Sequence, residues 1–253
     1  MADISLLDGY RGLPAVPITT IFFDLYQTLV YFYPEREYRQ AEALRQLGIE
    51  ADPADIRRGY LAADHYYTLV GMETPIHLLS SPERDRVYLR YQEVMLEEAG
   101  LGHLTHLAEK LRALYWEQWR ELRLFPEVDQ LLSHFRSAGY RLGLITNVAD
   151  DPSPDLERLG LLRQLDVVVA SCLAGVEKPN AAIFQAALRE AGVSPDQGLH
   201  VGDQLLADVE GARAVGMAAV LLDRHGLQQG RYPHTIRSLD ELPALLENGL
   251  EER

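Results

Sequence analysis

Two hydrophobic rhythms divide the chain. Ile18-Thr-Thr-Ile-Phe-Phe-Asp24 is β-branched and aromatic with both faces apolar, the pattern of a buried parallel strand. From Pro34 to about Trp119 the rhythm is helical. Residues 35–47 place Tyr38, Ala41, Leu44 and Leu47 on one side and stop at Gly48. A second helix starts near Pro53. A third opens at Ser81-Pro82-Glu83, read as N-cap, first-turn proline and early acid, and runs to about Ala99. A fourth covers residues 103–119. No strand pattern interrupts this stretch.

After Phe125-Pro126 strands and helices alternate. Helices are expected over 127–138, 154–159, 181–191 and 205–215. Strands are expected over 141–145, 167–170, 199–201 and 218–222, with a last helix over 239–246. Alternation of this kind predicts an α/β fold, a parallel sheet with helices on both faces. Residues 1–17 carry three Gly or Pro breaks after Leu7 and end in Pro17, the mark of an extended arm. The first strand is thus cut off from the rest of its sheet by a helical insert. Ligands in such sheets bind at the carboxyl ends of the strands, where this insert enters, so it is placed to act as a lid.

Composition narrows the partners. Lys and Arg number 24 against 38 Asp and Glu, a formal charge of −14. Phosphate backbones select clustered cations, so nucleic acid is not expected as a partner. A small anionic substrate in a locally basic or metal-loaded pocket remains compatible. The single cysteine, Cys172, permits no intrachain disulfide and suggests a reducing compartment. A lone cysteine is more often an inert core residue than a nucleophile. No signal-peptide pattern opens the chain, and no window reaches the ~18 apolar residues of a membrane span. A cytoplasmic protein is expected.

Four stretches at strand ends carry reactive groups. In Phe23-Asp24-Leu25-Tyr26-Gln27-Thr28, Asp24 is a carboxylate that can attack an electrophile and form a covalent ester or acyl phosphate; a turn-forming Asp satisfies the same spacing. Thr146-Asn147 offers a hydroxyl and an amide to an anion, or a helix cap. Lys178, in Glu-Lys-Pro-Asn, would hold a carboxylate ionised and neutralise a charged substrate, or lie solvated on the surface. Gly202-Asp203 and Asp208 supply oxygen ligands that suit Mg²⁺, or acids at a helix start.

Together and in this order, the four stretches resemble the motif set of the haloacid dehalogenase-like superfamily over about residues 18–225. The Gly-Asp-x4-Asp stretch running on into Val-Glu-Gly-Ala-Arg, and the Lys-Pro followed by Ile-Phe, are its most specific parts. The resemblance implies a Rossmann-like, doubly wound core over 18–33 and 122–253, with an all-helical C1-type cap over 34–121. It implies Asp24 as nucleophile, Thr146 as the phosphate-binding hydroxyl and Lys178 as the charge-neutralising lysine. Mg²⁺ would lie among Asp24, the Tyr26 carbonyl, Asp203 and Asp208. Tyr26, Thr28 and Asn147 are carried over as substrate-binding residues.

The chain departs from the phosphatase pattern at one place. Phosphatases of the family carry a second Asp two residues past the nucleophile, the general acid for the leaving group; here that residue is Tyr26. Tyrosine there resembles the 2-haloacid dehalogenases, whose halide leaves without a proton, whereas an alkoxide needs acid help worth ~10²–10⁴-fold. Those dehalogenases replace the Asp203/Asp208 pair and use no metal. Where they carry an aromatic hydroxyl six residues past the lysine, this chain has Phe184. Their substrate-binding cap arginine has candidates here in Arg57 and Arg58. The chain also resembles the haloacid dehalogenase-like hydrolase domain-containing type 3 branch, in which the second Asp is likewise missing. Three readings follow: a Mg²⁺-dependent phosphohydrolase of a small metabolite with a good leaving group, a metal-independent 2-haloacid dehalogenase, or a catalytically weak binding or regulatory protein. Tyr66, Tyr67, His65 and His77 are candidates to face the pocket, or to pack within the cap.

Overall fold

The computed structural model describes residues 17–247. The N-terminal arm expected over residues 1–17 lies outside them, apart from Pro17. The elements in chain order begin with β1 (Thr20–Phe23), β2 (Val30–Tyr33), α1 (Arg36–Arg45), α2 (Pro53–Glu73), α3 (Ser81–Leu96), α4 (Ala108–Glu117) and β3 (Glu121–Leu124). They continue with α5 (Val128–Ser137), β4 (Arg141–Thr146), α6 (Ser153–Arg158), β5 (Val167–Ala170), α7 (Ser171–Ala174) and α8 (Ala181–Ala191). The last are β6 (Gly198–Gly202), α9 (Gly211–Ala214), β7 (Ala218–Leu222), β8 (Thr235–Ile236) and α10 (Leu242–Glu247).

Six strands form one sheet in the order β5-β4-β1-β6-β7-β8, and every pairing is parallel. The parallel α/β sheet read from the alternation, and the Rossmann-like core that the resemblance implies, are therefore present. β1 lies between β4 and β6, which is why its sequence is apolar on both faces. Ile21 and Phe23 turn to one side and join Leu131, Leu132 and Phe135 of α5. Phe22 turns to the other and meets Ile183 and Phe184 of α8. Each such fully buried side chain contributes about 1.5–3 kcal/mol, so the strand that ends at Asp24 is held rigidly from both faces.

Helices α1–α4 build a separate apolar cluster around Leu44, Ile56, Met95, Leu96 and Leu111. The third helix begins one residue earlier than its Pro82 suggests. Ser80 is its cap and forms a reciprocal box with Glu83.

Several elements differ from the sequence expectation. Residues 30–33, grouped with the core by sequence, pair antiparallel with Glu121–Leu124 rather than with the main sheet. This ribbon carries the chain into and out of the helices, and Arg123 packs over the Tyr33 ring at 3.9 Å. Four residues per strand with a distant partner leave no local pattern to read. β8, two residues long, is too short to leave a pattern. The helix expected over 205–215 is two pieces, a π-helical turn at Leu205–Glu210 followed by α9. The wide turn places Asp208 inward and buries it, as π turns at functional sites commonly do.

Candidate active site

The register of the sheet assembles the site. Phe23 pairs with Leu144 on one side and Val201 on the other. Asp24, Thr146 and Asp203 therefore emerge together at the carboxyl ends of three adjacent strands. The Asp24 amide donates to the Val201 carbonyl at 2.9 Å, continuing the ladder one residue past the strand.

Lys178 joins two of the carboxylates. Its Nζ donates to Asp24 Oδ1 and to Asp208 Oδ1, each at 2.6 Å, and the side chain is buried. The two negative partners hold its ammonium well above the ordinary lysine value, against burial. Burial pushes the Asp24 carboxyl up to about 6, and Lys178 beside it opposes that rise. With Oδ1 on the lysine, Oδ2 is the oxygen left for attack.

Asp208 is an anchor. Oδ1 accepts from Lys178 and from His200 Nε2 at 3.0 Å, and Oδ2 accepts from the Gln204 amide at 2.9 Å. These donors hold its carboxyl far below the usual range although burial acts the other way. Gly202 makes the approach possible, since a Cβ there would lie 2.2 Å from the Asp208 carboxyl carbon. His200, given no role in the reading of the sequence, is fully buried and kept neutral by desolvation. Its position on an otherwise apolar strand two residues before Gly202 was the available signal.

Asp203 is the opposite case. Its Oδ1 is buried with no hydrogen-bond partner among the described residues. Burial, with Asp24 and Asp208 adding repulsion, pushes its carboxyl well above the usual value. Ligand oxygens of Asp24, Asp203 and Asp208 lie within 4.8 Å of one another. An orphaned buried carboxylate oxygen in such a cluster is what a hard divalent cation satisfies. The residues fit a Mg²⁺ site, with Asp208 already largely spent on Lys178, His200 and Gln204.

The remaining expected residues divide. Thr146, at the end of β4, is fully buried and its hydroxyl has no partner among the described residues. Asn147 grips Lys178 instead: Nδ2 donates to the Lys178 carbonyl at 3.0 Å and Oδ1 accepts its amide at 2.7 Å. One N–H of Asn147 remains for the cavity it borders. Thr28, expected to touch substrate, is fully buried and absent from the cavity walls. Gln27 at φ 62° turns the chain there, and Arg224 clamps the carbonyls of Gln27 and Thr28. Tyr26 borders the cavity, stacked on Phe32 at 5.7 Å. Burial and nearby carboxylates raise its phenol above the ordinary value.

Core and cap enclose a cavity of about 370 Å³ next to Tyr26, Asn147 and Asp203. Of the cap candidates, Tyr67 lines it, His65 is exposed beside a smaller cavity and His77 faces Glu177. Arg57 is paired with Glu37, and Arg58 with Asp55 on the surface. Contacts between the lobes include two hydrogen bonds. Thr68 donates to Gln204 at 2.9 Å, and the Ile76 amide donates to Glu177 at 2.8 Å. Gln204 follows Asp203 and Glu177 precedes Lys178, so both cap contacts sit one residue from chemistry. Sequence reading passed over Thr68, Gln204 and Glu177, because the contact pairs lie about a hundred residues apart. Cys172 is half-buried and its thiol is raised by desolvation, which does not suit a nucleophile. Among the described residues, no helix is long and apolar enough to cross a membrane.

The family model of haloacid dehalogenase-like hydrolases matches residues 18–216. The chain is 34% identical to the phosphoserine phosphatase of Thermus thermophilus over 62% of its own length and 61% of that protein's, so it spans less than two thirds of this relative. It is 30% identical to the human haloacid dehalogenase-like hydrolase domain-containing protein 3, over 81% of this chain and 82% of that one. A solved 2-haloacid dehalogenase of Pseudomonas syringae superposes with a TM-score of 0.54 at 26% identity, covering 91% and 99% of the two chains.

Proposed function

The chain belongs to the haloacid dehalogenase-like hydrolases, and from that premise we propose that it is a Mg²⁺-dependent phosphohydrolase with Asp24 as nucleophile, acting on phosphates whose leaving group departs without a proton. The observation that carries the reading is the partnerless, buried Oδ1 of Asp203 beside Asp24. A dehalogenase that works without metal has no use for it.

Asp24, Asp203 and the Tyr26 carbonyl would hold the cation, with Asp208 behind them; when bound it neutralises charge on the phosphoryl oxygens. The chain's own groups do the rest. Lys178 fixes Oδ1 of Asp24 and keeps the carboxylate ionised, so Oδ2 faces the phosphorus. The Thr146 hydroxyl, otherwise without a partner, donates to a phosphoryl oxygen. Asn147 keeps the Lys178 backbone in place from below. The aspartyl phosphate so formed is opened by water.

Tyr26 limits the leaving group. A phenol raised above its ordinary ~10 is a poor proton donor at neutral pH. Acyl and aryl phosphates and phosphoanhydrides release stabilised anions; sugar phosphates release alkoxides. The phosphatase names among the relatives support phosphate as the group transferred, and Tyr26 is what moves the reading away from alkyl esters. Steady-state turnover of acetyl and p-nitrophenyl phosphate, with Mg²⁺ and with chelator, tests it. Hydrolysis lost in chelator is expected; release of halide from 2-halo acids unaffected by chelator would replace it with the dehalogenase reading.

A further inference from the structure

We propose that the group carried by the phosphate is a phenol-type aromatic, so that the substrate is an aryl phosphate monoester; this deepens the phosphohydrolase reading and rests on it. Two independent observations converge. One is that residue 26, two past Asp24 and on the cavity wall, is a phenol and not a carboxylic acid, which asks for an oxygen that departs as a stabilised anion. The other is the wall of the cavity that the leaving group must enter.

Eight of the seventeen residues lining that cavity are aromatic. At the catalytic end Tyr26 and Phe32 are stacked with an interplanar angle of 19°. On the cap side Tyr67 stacks on Tyr88 at 6.1 Å and meets Tyr91 edge-on at the same separation, and Trp116, half-exposed, borders the mouth. Flat faces of this kind take a flat ring in offset or edge-to-face contact.

The polar groups on the wall are mostly spent on one another. Arg36 is ion-paired to Asp64 at 2.8 Å, and the Tyr91 hydroxyl donates to the same carboxylate at 2.7 Å. Thr68 is committed to Gln204. A polyhydroxylated leaving group would bury its hydroxyls against these occupied partners, at a cost. Away from Asp203 and Asn147 at the catalytic end, Gln92 is unspent: its Nε2 is buried without a partner among the described residues and awaits an acceptor. An aromatic ring with an oxygen substituent satisfies both the faces and this donor.

The step balances simply. Asp24 Oδ2 bonds to phosphorus as the P–O(aryl) bond breaks, and its electron pair leaves on the aryl oxygen as a phenolate that solvent protonates. Water then opens the aspartyl phosphate, giving inorganic phosphate and restoring the carboxylate.

The test compares 1-naphthyl phosphate with acetyl phosphate on the Mg²⁺-loaded protein, for wild type, Tyr88→Leu, Tyr88→Phe and Trp116→Leu. The ratio of kcat/KM values, naphthyl over acetyl, cancels effects common to both substrates. Wild type is expected to bind the naphthyl ester with the lower KM. The ratio should fall about tenfold in Tyr88→Leu and Trp116→Leu and hold in Tyr88→Phe. Acetyl phosphate turnover with no naphthyl preference, or a ratio unmoved by both leucine variants, overturns the aromatic substrate and leaves the phosphohydrolase reading intact. Failure to turn over either ester overturns that reading, and the inference with it.

Discussion

Gly202 and Asp208 lie so close that a single methyl group cannot stand between them: a Cβ on Gly202 would come within 2.3 Å of Asp208 Oδ2. The absence of a side chain at one position sets where the carboxylate at the other can go, and through it where Lys178 and Asp24 stand. Gly202→Ala should therefore push Asp208 off Lys178 and His200. Overpacking of this kind costs about 1–3 kcal/mol of stability, and misplacing Lys178 should cost turnover ~10²-fold. Thermal unfolding and steady-state rates on acetyl phosphate check both. An alanine variant with wild-type turnover would mean that Asp208 does not position the site.

Asp203 should behave as a residue that trades stability for binding. Its carboxyl is held above its ordinary value, so its charge costs the fold little at pH 4 and more as pH rises, levelling off above the folded value. Asp203→Asn removes that cost. Without added metal, the variant should be more stable than wild type by about 1–4 kcal/mol at pH 8 and indistinguishable at pH 4. It should also lose the rise in Tm that Mg²⁺ gives wild type. A variant destabilised at pH 8 in metal-free buffer would show that the carboxylate is already paired.

Gly71 sets the contact between the lobes. A Cβ there would lie 2.4 Å from Glu177 Oε2, whose other oxygen accepts the Ile76 amide. Gly71→Ala should break this contact while leaving the helical cluster around Leu44 and Met95 intact. Losing a hydrogen bond to a buried carboxylate should lower kcat/KM by about tenfold or more, with kcat and KM both affected because closure is what suffers. Glu177→Gln, which keeps the shape, should lose less. Equal kinetics for Gly71→Ala and wild type would mean that the lobes need not meet there.

How far the sequence could be read follows the range of the signal. β1 announced itself because it is buried on both faces, and three of the four reactive stretches were visible because each directly follows a strand; Lys178 lies beyond α7. The β2–β3 ribbon was not: Val30 to Tyr33 has its partner beyond the whole helical insert. Thr28 illustrates a different limit. The resemblance carried it over as a substrate contact, and only packing shows that its side chain is buried and that Arg224, far along the chain, holds its carbonyl. Asn147 was read for its amide, and only packing reveals that the amide oxygen and one N–H are spent on Lys178. The aromatic cap residues carried the right chemistry, but helical spacing does not distinguish a ring in the cap's own core from one on the cavity wall.

Tyr26→Asp tests the leaving-group argument. A carboxylic acid in place of the phenol should raise turnover of alkyl phosphates by ~10²-fold or more, with little gain on p-nitrophenyl phosphate, whose leaving group needs no proton. Rates on the two ester classes, measured for both proteins, give the answer. Wild-type rates that are already equal on alkyl and aryl esters, and unmoved by the substitution, would mean that another group supplies the proton.

The most direct measurement concerns Asp24 itself. The Mg²⁺-loaded protein is mixed with acetyl phosphate, quenched in acid, reduced with borohydride and digested. Reduction turns an aspartyl phosphate into homoserine, which marks the phosphorylated position in the peptide mass. Homoserine at residue 24 is expected with Mg²⁺, and none in chelator or in Asp24→Asn, which should fold normally and be inactive. Turnover that proceeds with residue 24 unmodified, or in Asp24→Asn at a rate within tenfold of wild type, would contradict the assignment of Asp24 as the nucleophile.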